Sequence, residues 1–181
     1  MSLLKQTRHY FVRVKQSYFP KKLSTAEIEY AKNHLPTELS AIFFEQPLCD
    51  QRHGFLVFDK CKIVFDGNTI DDDELFLTCS LHDLAKTQSY SSVTMRIFVA
   101  LILSVLKPHQ INNLTNSRYI FFKKMGIYAN HSELSANIIS QYSDSLFAYE
   151  ATKYHHSPVA VIDEQCQYAD QVKCFIDADT L

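Results

Sequence analysis

Leu81-His82-Asp83-Leu84-Ala85-Lys86 is the stretch on which the reading of this chain turns. A neutral imidazole beside a carboxylate can hold a divalent ion, and such an ion makes water reactive near neutral pH. Upstream, Asp72-Asp73-Glu74 places acids where a helix begins, and Leu75, Cys79, His82 and Lys86 recur along one helical face. The spacing predicts one helix over 72–86, with His82 turned toward a core.

Helical signals continue on both sides. Ser24-Thr25-Ala26-Glu27 has the form of a capping box and predicts a helix ending near His34. Pro36-Thr37-Glu38 opens another, with Leu39, Ile42 and Phe43 as its apolar stripe. Over 51–65, His53, Val57, Cys61 and Val64 share a face, so His53 is expected to point inward. Asp66-Gly67-Asn68 reads as the turn that closes that helix. Asn112-Asn113 and the Tyr119-Ile120-Phe121-Phe122 cluster predict a loop and then a helix. Further helices are expected over 131–142, from a cap at Ser143-Asp144 to His155-His156 ahead of Pro158, and over 163–180.

Composition agrees with this pattern. Only 3 glycines and 5 prolines punctuate 181 residues, too few for the turns of an all-β fold. The length suits one domain with a sizeable core, and 46% hydrophobic with 21% charged residues is ordinary for a globular chain. The expected architecture is all-α: an N-terminal helical extension over 1–34 and one helical bundle over 35–181. A net charge of −2 gives no reason to expect nucleic acid as partner.

Five cysteines, Cys49, Cys61, Cys79, Cys166 and Cys174, form no C-x-x-C pair and read as reduced thiols, hence a cytoplasmic protein. Residues 1–18 mix aromatic and basic side chains and lack the apolar stretch of a signal peptide. The run from Met95 to Leu106 is too short to span a bilayer and is expected to be a buried core helix, with contact at a membrane interface as the alternative.

Taken singly, each histidine reads as structural. His9, His34 and His109 lack a polar partner at useful spacing; His53 fits a hydrogen-bonded core position, and His155-His156 fits a polar helix C-terminus. Taken together, His53, His82, Asp83, His131, His155, His156 and an aspartate near residue 179 fall toward the inner sides or ends of successive helices. Helical proteins build metal centres in that way. Imidazole and carboxylate without thiolate suit iron, manganese, nickel or zinc, as one ion or two.

The order His53, then His82-Asp83, then a C-terminal aspartate resembles the H…HD…D signature of the HD-domain metal-dependent phosphohydrolases. Leu81-His82-Asp83-Leu84-Ala85-Lys86 resembles that family's L-H-D-I-G-K, with Ala85 in place of glycine. Asp50-Gln51-Arg52-His53-Gly54 looks like the lead-in to its first histidine, and His131-Ser132-Glu133-Leu134-Ser135-Ala136 resembles the H-P-E-x-G-A element of HDIG-type members. Lys153-Tyr154-His155-His156 resembles their paired histidines. The G-Y-P element of cyclic-di-GMP phosphodiesterases is absent, with Ser157-Pro158-Val159 in its place.

The resemblance implies that His53, His82, Asp83 and Asp179 bind a first ion, with Asp177 as the other candidate for the last position. It implies that Asp83 bridges to a second ion held by His131 and by His155 or His156. Asp83 and Lys86 are then the catalytic pair, and Lys86, Arg52 and Lys153 are the cations available to a phosphate. The implied activity is hydrolysis of a small phosphate ester, possibly a nucleotide. The alternatives are a non-catalytic HD-like module that binds a nucleotide or protein around a structural metal, and an HD-fold di-iron oxygenase.

Overall fold

The computed structural model describes residues 18–65, 70–90 and 92–180. The Asp66-Gly67-Asn68 turn and the reading of residues 1–17 lie outside them. Every regular element among the described residues is a helix, so the chain is all-α. In order they are α1 (Thr25–His34), α2 (Thr37–Glu45), α3 (Leu48–Val64), α4 (Asp72–Leu81), α5 (Leu84–Ser89) and α6 (Val93–Val105). There follow α7 (Pro108–Asn112), α8 (Ile120–Ala129), α9 (His131–Ile139), α10 (Leu146–Tyr154), α11 (Val159–Gln165) and α12 (Ala169–Thr180).

α4 is the central element, because every residue from Leu75 to Leu81 is buried and it packs against both α3 and α10. Its N-terminus is fixed by Asp71, whose carboxylate accepts the amide of Glu74 at 2.8 Å. α12 closes over α3 and α10. One main core results, in which Phe76 is fully buried with ring centroids 5.0 Å from those of Tyr30, Phe55 and Phe58. Burying such rings removes apolar area from water and dominates the stability of the bundle. α1 begins with the reciprocal Ser24–Glu27 capping box that the sequence predicts.

Gly54 sets the distance between α3 and α4. A Cβ there would lie 2.8 Å from the Ser80 Cα and 3.2 Å from the Cys79 carbonyl oxygen. Only hydrogen fits, and the two backbones meet beside His53 and two residues before His82.

Five sequence expectations need correcting. The helix over 72–86 breaks: α4 ends at Leu81, and Asp83 adopts φ −101°, ψ 10° before α5 begins. Val64 is exposed, so the inward face of α3 ends with Cys61. The segment 163–180 is two helices, α11 and α12, with the break at Cys166–Tyr168, and the cap of α10 is Ser145 rather than Ser143-Asp144. The fifth concerns α6, which is not a buried core helix: Val99 is its one fully buried residue. α6 lies against α8 in a small satellite cluster of Tyr90, Val99 and Met125, and α8 covers only one stripe of its largely apolar surface. Arg96 ties it to the main bundle through two 2.7 Å contacts to the Asp50 carboxylate. No single helix among the described residues is long and apolar enough to cross a membrane.

Candidate metal centre

The helix break after Leu81 is what builds the site. Within a continuous helix, neighbouring residues point about 100° apart. The turn at His82 and Asp83 lets both side chains face the same space, and the backbone of Asp83 occupies the sparsely populated bridge region found at many functional positions. His131 is the first residue of α9, His155 caps α10, and Asp179 lies in the last turn of α12. The candidate ligands thus stand at helix ends, with the exception of His53 on α3.

Two groups share Asp83. In one, the donor atoms of His53, His82 and Asp83 lie within 4.8 Å of one another. Asp179 joins them, with Oδ1 2.9 Å from His53 Nε2 and 3.5 Å from His82 Nε2. In the other, donors of Asp83, His131, His155 and His156 lie within the same 4.8 Å limit. Asp83 Oδ1 is 3.2 Å from His131 Nε2 and 3.4 Å from His155 Nε2, while Oδ2 is 3.6 Å from His82 Nε2. One carboxylate therefore faces both groups, one oxygen to each.

Backbone contacts orient three of the rings. His82 Nδ1 lies 3.0 Å from the Cys79 carbonyl, His131 Nδ1 2.7 Å from that of Tyr128, and His155 Nδ1 2.6 Å from that of Thr152. A carbonyl only accepts, so each contact places a proton on Nδ1 and turns Nε2 toward the centre, the arrangement that usually supports a metal-binding histidine. The Nε2 atoms of His82 and His155 and Oδ1 of Asp83 are buried with no hydrogen-bond partner. Buried polar atoms without partners are rare, and here one falls in the His53 group and two in the His131 group, as a bound ion in each would explain. This donor set of imidazole and carboxylate suits a divalent transition metal.

Charge is arranged to match. Burial alone would raise the carboxyl of Asp83, but Lys86, His82, His131 and His155 around it hold it well below the usual range. Burial is likewise overcome at Asp179, held low by His82 and His53. His156 is exposed as a residue, but desolvation of the ring edge that faces the centre, with His155, His131 and Lys86 beside it, lowers it, and burial lowers His131. Both imidazoles are neutral near pH 7, as ligation requires. His82 behaves oppositely: its burial is outweighed by Asp83 and Asp179, which lift it to about 9. A positive charge, on a proton or a metal, belongs between those two carboxylates.

Exposure is uneven among the donors. His82 is 1% exposed, and His131, His155 and Asp179 are buried, whereas the Asp83 side chain is 21% exposed and His156 is on the surface. Lys86 Nζ lies 2.6 Å from Asp83 Oδ2, which puts a cation beside the same carboxylate.

Asp177 is exposed on the face of α12 away from these groups, leaving Asp179 as the carboxylate in place. Arg52 is not available to a phosphate: it is bound to Glu27 at 2.6 and 3.1 Å and to the carbonyls of Lys21 and Lys22. Lys153 packs over the Tyr149 and Tyr154 rings. His34 has a polar partner after all, pairing with Asp73 and stacking on Tyr30.

Three supporting residues escaped the sequence reading. Buried Glu150 accepts the amides of Gln167 and Tyr168 at 2.9 Å each, anchoring the start of the helix that carries Asp179. Ser135 Oγ accepts the amide of Ala85 at 2.9 Å and joins α9 to the turn at Asp83. Lys60 donates to the Ala178 carbonyl at 3.1 Å and holds the other end of α12. A buried glutamate is a local signal that could have flagged the first; the other two depend on contacts between distant segments. Compared with family models, with curated proteins and with solved structures, the chain matches none.

Proposed function

We propose that this chain is an HD-type metal-dependent phosphohydrolase acting on a small phosphate ester, with nucleotides as the first substrates to test. The observation that carries the reading is the position of Asp83, whose two oxygens face two separate histidine groups. In this reading His53, His82, Asp83 and Asp179 hold one ion, and Asp83 with His131, His155 and His156 hold another. Such ions polarise a phosphoryl oxygen and lower the pKa of water.

The protein's own groups supply the rest. The Nδ1 contacts to backbone carbonyls hold the imidazole lone pairs in position before any ligand arrives, which lowers the cost of ordering. Asp83 and Asp179 contribute two negative charges and the neutral histidines none, so a pair of divalent ions leaves the centre positive and attractive to a phosphate. Lys86 is paired with Asp83 Oδ2 at 2.6 Å, and an ion taking that oxygen would release its ammonium beside the centre for a phosphate oxygen. His82, His131, His155 and Asp179 are buried, which keeps bulk water from most of the donor atoms. Cytoplasmic residence belongs to the same proposal and agrees with the five free thiols.

The test is a screen of phosphate mono- and diesters, nucleotides included, with manganese, iron, nickel or zinc added to metal-depleted protein. Hydrolysis by the wild type should be metal-dependent. Asp83→Ala should lose it by at least about 10³-fold, since both ions depend on this carboxylate. Circular dichroism should show the helices kept, because the remaining histidines can stay neutral. Hydrolysis by Asp83→Ala at the wild-type rate contradicts the assignment. A protein that binds metal and a nucleotide yet turns over no ester is a binding module instead.

A further inference from the structure

The acidic residues of this chain are distributed unevenly. None of the 20 Asp and Glu residues lies between positions 84 and 132, a segment that holds Lys86, Arg96, Lys107, Arg118, Lys123 and Lys124. Its formal charge is +6, which leaves −8 for the remainder of the chain. Lys86 and Arg96 are paired with Asp83 and Asp50. Lys107, Arg118, Lys123 and Lys124 form no ion pair with a described residue, and the first three are exposed.

Of the 15 exposed large hydrophobic residues among the described ones, seven lie in the same segment. On α6, Ile97, Leu101 and Val105 follow at i, i+4 and i+8 with Phe98 beside them, so they form one stripe opposite Val99. Leu101 is 64% and Val105 79% exposed. Ile120, 70% exposed, with Tyr119 and Phe122 adds an aromatic and aliphatic edge at the start of α8, the helix on which α6 rests. Arg118 lies over the Tyr119 ring at 4.8 Å, a cation and an aromatic ring side by side at the rim.

We propose that α6 and the start of α8 form a surface that docks on an anionic lipid membrane, with the α6 stripe in the headgroup boundary and Lys107, Arg118 and Lys123 on lipid phosphates and carboxylates. Large aliphatic side chains among unpaired cations, with no acid in 49 consecutive positions, match both halves of such an interface. Nucleic acid fits less well, because Ile97, Leu101 and Val105 offer it neither hydrogen bonds nor stacking. α6 is 13 residues, too short to span, so the contact is interfacial. Arg96, clamped on Asp50, transmits this docking to the bundle.

Co-sedimentation of the full chain with vesicles tests the proposal. Phosphatidylcholine vesicles containing a large fraction of phosphatidylserine should retain the protein, and pure phosphatidylcholine vesicles should not. High salt should release it. Leu101→Ser with Val105→Ser, at positions too exposed to unfold the bundle, should abolish retention. Lys107→Glu with Lys123→Glu should weaken it by roughly fivefold or more per lysine. Should the apolar pair of variants misfold, the lysine pair and the salt series decide alone. No retention on either vesicle, or equal retention on both, overturns the proposal. So does wild-type self-association that Leu101→Ser removes, which would assign the face to a second copy. Metal content is measured in the same samples, and its outcome is independent of this surface.

Discussion

Asp83 has neighbours that explain both its charge and its place. A carboxylate surrounded by three imidazoles and an ammonium ion stays ionised despite burial, and each of its oxygens meets a different group. Away from the site, Glu27 shows the same physics in simpler form. The Arg52 guanidinium holds its carboxyl at about 2, below the ordinary 4.5, with the Ser24 cap adding to the effect. A depressed carboxyl adds stability above its unfolded pKa and loses it as pH falls through the folded one. Glu27→Gln keeps the cap acceptor and removes the charge. It should cost about 1 kcal/mol at neutral pH, since the pair is partly solvated. Urea melts of both proteins should show the difference shrinking from about pH 4.5 and gone near pH 2. A difference unchanged at low pH would mean that packing, and not charge, is what Glu27 supplies.

At the scale of elements, the centre rests on where helices stop. Hydrophobic period and caps in the sequence locate α1, α2, α3 and the start of α4 closely, because local signals decide them. The break between His82 and Asp83 carries no glycine or proline, so period alone extends one helix to Lys86. Tertiary packing decides it, through Ser135 on the Ala85 amide. The α3–α4 contact has a sharper signature at Gly54. Gly54→Ala should lower stability by about 1–3 kcal/mol, as overpacking does. It should also weaken the group containing His53 and His82 more than the group containing His131, because only the former spans the widened contact. Metal titration of the variant, read beside its thermal melt, checks this. Unchanged stability together with unchanged binding would show that the two backbones have room to part.

Across the whole molecule, the all-α class follows from scarce glycine and proline and from helical periodicity, both properties of the chain alone. Which histidines meet does not: His53 and Asp179 are 126 positions apart, and only the crossing of α3 and α12 brings them to 2.9 Å. The order of the motifs, read as a resemblance, singles out the same residues, while spacing alone leaves Asp177 and Asp179 open. Reading α6 as core fails because apolar content does not say how many neighbours a helix has. In the proposed centre one aspartate joins two metal positions. Elemental analysis after equilibrium dialysis against manganese or zinc, on protein purified without chelator or metal-affinity resin, measures it directly. The wild type should hold two ions per chain, His131→Ala one and Asp83→Ala none. A wild type that retains no ion, or an Asp83→Ala variant that retains as many as the wild type, would contradict it.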